Sequence, residues 1–163
     1  MTPNDHDLYQ LAERLGQTLL DQQLCLATAE SCTGGWVGKV MTDVAGSSSW
    51  YERGFITYTN QAKQDQLAVS AATLQAHGAV SEATAQAMAA GVLQFSHAQL
   101  SLAITGIAGP SGGSEQKPVG LVWFAWSRKE AQTIATSQVF KGDREAVRRQ
   151  AVLYALEGVF QLL

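Results

Sequence analysis

Apolar residues recur at helical spacing over residues 5 to 22, where Leu8, Leu11, Ala12, Leu15, Leu19 and Leu20 predict an amphipathic helix. The short run Leu-Cys-Leu-Ala-Thr-Ala at 24 to 29 predicts a buried strand. Gly34 and Gly35 then open a second helix that carries Trp36, Val37, Val40, Met41 and Val44 and ends at Gly46. Residues 50 to 59, aromatic and β-branched, predict a strand; 61 to 79 are mixed, with a short helix and a turn at Gly78. Ser81 is placed to cap a helix bearing Ala85, Met88, Val92 and Phe95. A strand at 100 to 106 leads into a loop, 106 to 118, with four glycines and two prolines. Residues 119 to 127 and 133 to 140 predict two strands joined by a charged turn, so that pair is antiparallel. Asp143 starts a last helix with Val147, Ala151, Ala155, Val159 and Leu162 on its apolar face.

Helices both precede and follow strands in this order. The predicted fold is therefore α/β, a three-layer α/β/α sandwich around a mixed, mostly parallel central sheet. At 163 residues the chain fits one domain, 1 to 163, with no repeat, linker or low-complexity segment.

Composition narrows the function classes. An apolar content of 46% and a charged fraction of 15% belong to a folded globular chain rather than a disordered one. A net charge of -3 with no basic stripe gives no footprint for nucleic acid. No apolar stretch reaches bilayer length, and the polar, acidic first ten residues do not form a signal peptide, so a cytoplasmic location is expected. Two cysteines, Cys25 and Cys32, make no disulfide framework, and no Cys/His spacing suggests a metal site.

The chemistry concentrates at turns. Ser31, Cys32 and Thr33 follow the first apolar strand and precede Gly34 and Gly35, at the edge where open α/β sheets bind ligands. Two readings stand: an N-cap for the next helix, or a nucleophile with backbone N–H groups beside it. The loop at 105 to 118 has neither a Walker A ending nor a G-x-G-x-x-G pattern, yet its amides could converge on an anion. Lys63, after Tyr58 and Asn60, is either solvated surface or, if buried beside a serine, a base. Arg144 and Arg148 share a helical face near the positive end of the dipole, where a bound anion or simple solvation would accommodate them. Cys32 is a rival nucleophile to Ser31; His6, His77 and His97 form no triad or metal set.

Three stretches carry a family resemblance: TAESCTGGWVGKVMTDVAGSSSWYERGFITYTNQAK, AITGIAGPSGGSEQKPVG and FKGDREAVRRQA. Together they resemble the CinA C-terminal domain family, in particular its stand-alone bacterial members, which are nicotinamide-nucleotide amidases. Longer members carry an additional N-terminal domain that this chain is too short to hold. The resemblance implies a three-layer α/β/α fold, a homodimer, and hydrolysis of nicotinamide mononucleotide to nicotinate mononucleotide and ammonia, without cofactor or metal. It implies Ser31 as nucleophile and Lys63 as its base, with Tyr58 of the same motif a further catalytic residue and Asn60 a substrate-binding one. Backbone N–H groups near Gly34 and Gly35, or near Thr105 and Gly106, would hold the oxyanion, with Thr33 beside them binding substrate. Arg144, Arg148, Ser48 and loop amides such as that of Gly109 are the candidates for the 5′-phosphate. A binding module that kept the pocket without the reaction is the alternative from another class.

Overall fold

The leucines of the first segment fall on one face of helix α1 (Asp5–Asp21), which Asn4 and Asp7 close with a reciprocal capping box. A computed structural model describes all residues, 1–163. The chain continues as β1 (Leu26–Glu30), α2 (Trp36–Thr42), β2 (Tyr51–Ile56), α3 (Asn60–Leu67), α4 (Ala71–His77) and α5 (Glu82–Gln94). It ends with β3 (Leu100–Gly106), β4 (Leu121–Arg128), β5 (Ile134–Val139) and α6 (Arg144–Val159).

The strands form one open sheet in the order β2-β1-β3-β4-β5. β1 is parallel to both β2 and β3, whereas β3–β4 and β4–β5 are antiparallel, so the sheet is mixed, with two pairs of each kind. Helices cover both faces, as a three-layer sandwich requires.

The two faces are built from different side chains. Strand alternation turns Leu100, Leu102 and Ile104 of β3, with Val122, Phe124 and Trp126 of β4, toward one side. There they pack with leucines of α1 and with Val147, Ala151 and Ala155 of α6. The opposite side presents Ala27, Ala29, Ala103 and Ala125, and against these lies the alanine-rich α5. Small residues on both partners let α5 approach closely; Ser101 Oγ even donates to the Ala89 carbonyl at 2.9 Å. On another side of α5, Gly91 lets α3 come close, since a Cβ there would strike the Leu67 carbonyl.

The segment 61 to 79 forms two short helices rather than one. Thr59 caps α3 and Ser70 caps α4, each accepting a backbone N–H through its hydroxyl. Accordingly β2 ends at Ile56, and residues 57 to 59 lead into α3 instead of extending the strand. No helix is long and apolar enough to cross a membrane.

Candidate active site

β1 runs parallel to both of its neighbours and stops at Glu30, so the chain must leave the sheet there. Ser31 stays anchored, because its N–H donates to the Ile104 carbonyl at 3.0 Å. The chain then reverses within four residues. Gly34 and Gly35 make this possible with φ of 61° and 100°, a region that a β-carbon disfavours. Glu30 draws the next helix back onto the strand end: its buried carboxylate accepts the Val37 N–H at 2.9 Å and the Gly38 N–H at 3.1 Å.

Lys63 enters from α3 and is 1% exposed. Its Nζ lies 2.9 Å from Ser31 Oγ, 2.9 Å from the Thr57 carbonyl oxygen and 3.4 Å from that of Tyr58. Neither Lys63 nor any carboxylate makes an ion pair with the other. Burial lowers the Lys63 pKa from the ordinary lysine value, with the nearby Cys32 thiol a weaker opposing influence. A neutral amine has two N–H donors and one lone pair. Lys63 Nζ donates to Ser31 Oγ as well as to the carbonyls of Thr57 and Tyr58, and Ser31 Oγ donates to the Tyr58 carbonyl at 3.4 Å; loss of one amine proton frees a lone pair at this contact.

Cys32 has the opposite fate. Burial pushes its thiol up to about 12, so it stays protonated and packs with the core. That environment suits a structural thiol, not a nucleophile.

Ser31 and Lys63 open onto a cavity of about 260 Å³ that Tyr58, Asn60, Thr105, Gly106 and Arg144 also line. Thr105 Oγ1 donates to the Ala79 carbonyl at 2.8 Å and fixes the α4–α5 connection as one wall. Arg144 spans the mouth, donating to the Gly109 carbonyl at 2.7 Å and to the Tyr58 hydroxyl at 3.0 Å. Cys32 and Ala108 also line the cavity, and neither backbone N–H donates to a backbone carbonyl.

The remaining candidates lie elsewhere. Thr33, Gly34, Gly35 and Arg148 line a second cavity of about 410 Å³ behind the turn, together with Trp36, Lys39 and Arg149. Arg148 Nε donates to the Cys32 carbonyl and Nη2 to the Thr33 carbonyl, each at 3.0 Å. Those bonds, rather than an anion, accommodate its charge at the start of α6. Ser48 sits in a 3-10 turn before β2, and the parallel register pairs Leu26 with Tyr51 and Glu30 with Ile56. The start of β2 is thus at the far end of the sheet from Ser31, and Ser48 lines neither cavity.

Two residues that sequence reasoning passed over take part in this geometry. Glu30 orients the start of α2, and the Thr57 carbonyl receives Lys63. A carboxylate between an apolar strand and a glycine turn is a signal that could have found Glu30. A backbone carbonyl leaves no such trace.

The fold is that of one family. The CinA C-terminal domain model matches residues 8–163, and the chain belongs to that family. Among individual proteins it is similar to nicotinamide-nucleotide amidohydrolase PncC of Escherichia coli (strain K12), with 53% identity over 157 residues, 96% of this chain and 95% of that protein. Among solved structures it is similar to the competence/damage inducible protein CihA from Agrobacterium tumefaciens, with 42% identity and a TM-score of 0.94 over 99% of this chain and 98% of that one. A CinA superfamily protein from Escherichia coli gives a TM-score of 0.93 at 40% identity, covering 100% of this chain and 94% of that one.

Proposed function

We propose that this protein is an amidohydrolase that converts nicotinamide mononucleotide to nicotinate mononucleotide and ammonia, with Ser31 as nucleophile and Lys63 as base. The relatives named nicotinamide-nucleotide amidohydrolase support the reaction class. The observation that carries the mechanism is a buried lysine without a carboxylate partner, 2.9 Å from a serine hydroxyl. A binding module has no need of that pair, since an uncompensated buried amine costs stability.

In this mechanism Ser31 Oγ attacks the carboxamide carbon, made electrophilic by the pyridinium ring, while its proton passes to Lys63 Nζ. The tetrahedral oxyanion is met by backbone amides at the cavity wall, for which Cys32 and Ala108 are available. Lys63 then returns the proton to the nitrogen as the C–N bond breaks, and ammonia leaves an ester on Ser31. Water, deprotonated by the same amine, cleaves the ester and restores the hydroxyl. The positive pyridinium near Lys63 favours the neutral amine in the bound complex, in the same direction as burial.

At the mouth, Arg144 with the loop around Gly109 is the group best placed to meet the 5′-phosphate, with Asn60 beside it. We also take the enzyme to act in the cytoplasm as a homodimer; sedimentation at micromolar concentration tests the assembly. The deciding experiment for function is ammonia release from nicotinamide mononucleotide by the purified protein. Tight binding without ammonia would make it a binding module and end the amidase reading.

A further inference from the structure

Arg148 occupies an unfavourable place. It lies in the early turns of α6, near the positive end of the helix dipole, next to Arg149. Arg149 is offset by Asp5 and Glu145, but no carboxylate pairs with Arg148. Both guanidinium groups sit against one indole, Arg148 at 5.3 Å and Arg149 at 4.8 Å from the Trp36 ring centre. What Arg148 alone gains is the pair of carbonyl bonds to Cys32 and Thr33, the two residues that follow Ser31.

Those bonds supply a restraint that the turn otherwise lacks. Gly34 and Gly35 make the segment intrinsically permissive. Its other backbone bonds are Ser31 N–H to Ile104, before the turn, the local pairs Gly34 to Ser31 and Trp36 to Thr33, and Lys39 N–H to Gly35 at the start of α2. Only Arg148 ties the middle of the turn to another element. Because the peptide unit is planar, holding the Cys32 and Thr33 carbonyls fixes both peptide planes that follow Cys32. Arg148 reaches the two carbonyls from two separate nitrogens of one rigid plane, Nε and Nη2, a fixed spacing that a lysine ammonium, whose donors all sit on one rotatable nitrogen, does not reproduce. Trp36 holds the fork from its face.

We propose that Arg148 is a positioning residue: it braces the turn from behind, and so fixes the Ser31 hydroxyl in line with Lys63. This rests on the reading of Ser31 as nucleophile. It gives Arg148 a role in kcat, in contrast with a phosphate ligand, which acts on the affinity for the phosphorylated substrate.

The test compares Arg148→Ala, Arg148→Lys and, as control, Arg149→Ala, which removes a guanidinium from the same indole without touching the turn. Steady-state constants are measured with nicotinamide mononucleotide and with nicotinamide riboside. Separately, the rate of Ser31 labelling by a fluorophosphonate is measured; there the Oγ–P bond forms, fluoride leaves and the proton goes to Lys63. Displacing a reacting group by about 1 Å costs on the order of a hundredfold in rate. Arg148→Ala should therefore lower kcat about a hundredfold for both substrates and slow labelling similarly, with KM changed less than about threefold. Arg148→Lys, which keeps the charge and the stem, should recover less than about a tenth of the lost rate, and it carries the test if the alanine variant does not fold. Arg149→Ala should stay within about threefold of wild type. Unchanged kcat and labelling in Arg148→Lys would overturn the proposal, as would a loss confined to KM for the nucleotide. Wild-type protein that the probe leaves unlabelled at Ser31 would overturn the nucleophile assignment itself, a distinct failure.

Discussion

Two cavities lie on opposite sides of the 31–35 turn, and the larger one is chemically the quieter. The cavity behind the turn, about 410 Å³, carries five charged side chains, and each is already answered. Lys39 pairs with Asp43, Arg149 with Asp5 and Glu145, and Arg148 with two carbonyls. The cavity in front, about 260 Å³, contains one buried cationic side chain with no counter-charge. Volume and charge count would select the first; an unanswered electrostatic demand selects the second. Exposed ion pairs contribute little, whereas an uncompensated buried amine must lose its proton or destabilise the fold.

Four substitutions would break that contrast if it is wrong. The largest effect is expected from Ser31→Ala, which should lower ammonia release by on the order of 10⁴-fold or more while leaving substrate affinity nearly intact. Binding by calorimetry together with an ammonia assay checks both halves; near-normal turnover would send the search to water as the direct nucleophile.

Lys63→Arg is expected next, with a loss of about 10²- to 10⁴-fold, because a guanidinium keeps the charge but cannot act as a base. In the wild type the rate should rise with pH through an ionisation below the ordinary lysine value, since burial lowers the Lys63 pKa and only the neutral amine accepts the serine proton. An active Lys63→Arg enzyme with the wild-type pH profile would reduce Lys63 to a substrate ligand.

Arg144 sharpens the comparison at the front cavity's mouth. Arg144→Ala should raise KM for the nucleotide roughly tenfold, by removing a charge-assisted contact to phosphate, and leave the riboside nearly unchanged. Wild-type enzyme that treats riboside and nucleotide alike would show that no anion site exists there.

The contrast between the cavities was only half legible in the chain. Ser31 and Lys63 stand out as motif residues, and the strand–turn–helix context that gives Ser31 its place follows from local apolar patterns. The element order was readable for the same reason, since Leu8 to Leu19 and Val147 to Val159 repeat at helical spacing. The contacts of Arg148 were not legible because its partners are backbone carbonyls 116 and 115 positions away, and carbonyls carry no sequence signature. The position of Ser48 was not legible either: parallel pairing of β1 and β2 sends the residues before β2 to the opposite end of the sheet from Ser31. The 61 to 79 segment was indistinct because α3 buries only Lys63 and Leu67, too few positions to make a periodic stripe.

The smallest effect concerns stability, and it tests the same unanswered charge without any substrate. Lys63 titrates lower in the folded protein than in the unfolded chain. Between those two values the folded state binds fewer protons, so raising the pH through that window favours folding. Below the folded value both states are charged, and the whole burial penalty is present. Lys63→Met removes the titrating group and keeps an unbranched chain of similar length, though it also gives up the bond to the Thr57 carbonyl. Its melting temperature relative to wild type should therefore be most favourable at low pH and fall steadily as the pH climbs through the window, by on the order of a few degrees in all. Calorimetric scans of both proteins across a pH series measure this difference directly. A constant offset between them would mean that Lys63 titrates as a free lysine, and the front cavity would lose the feature that separates it from the one behind.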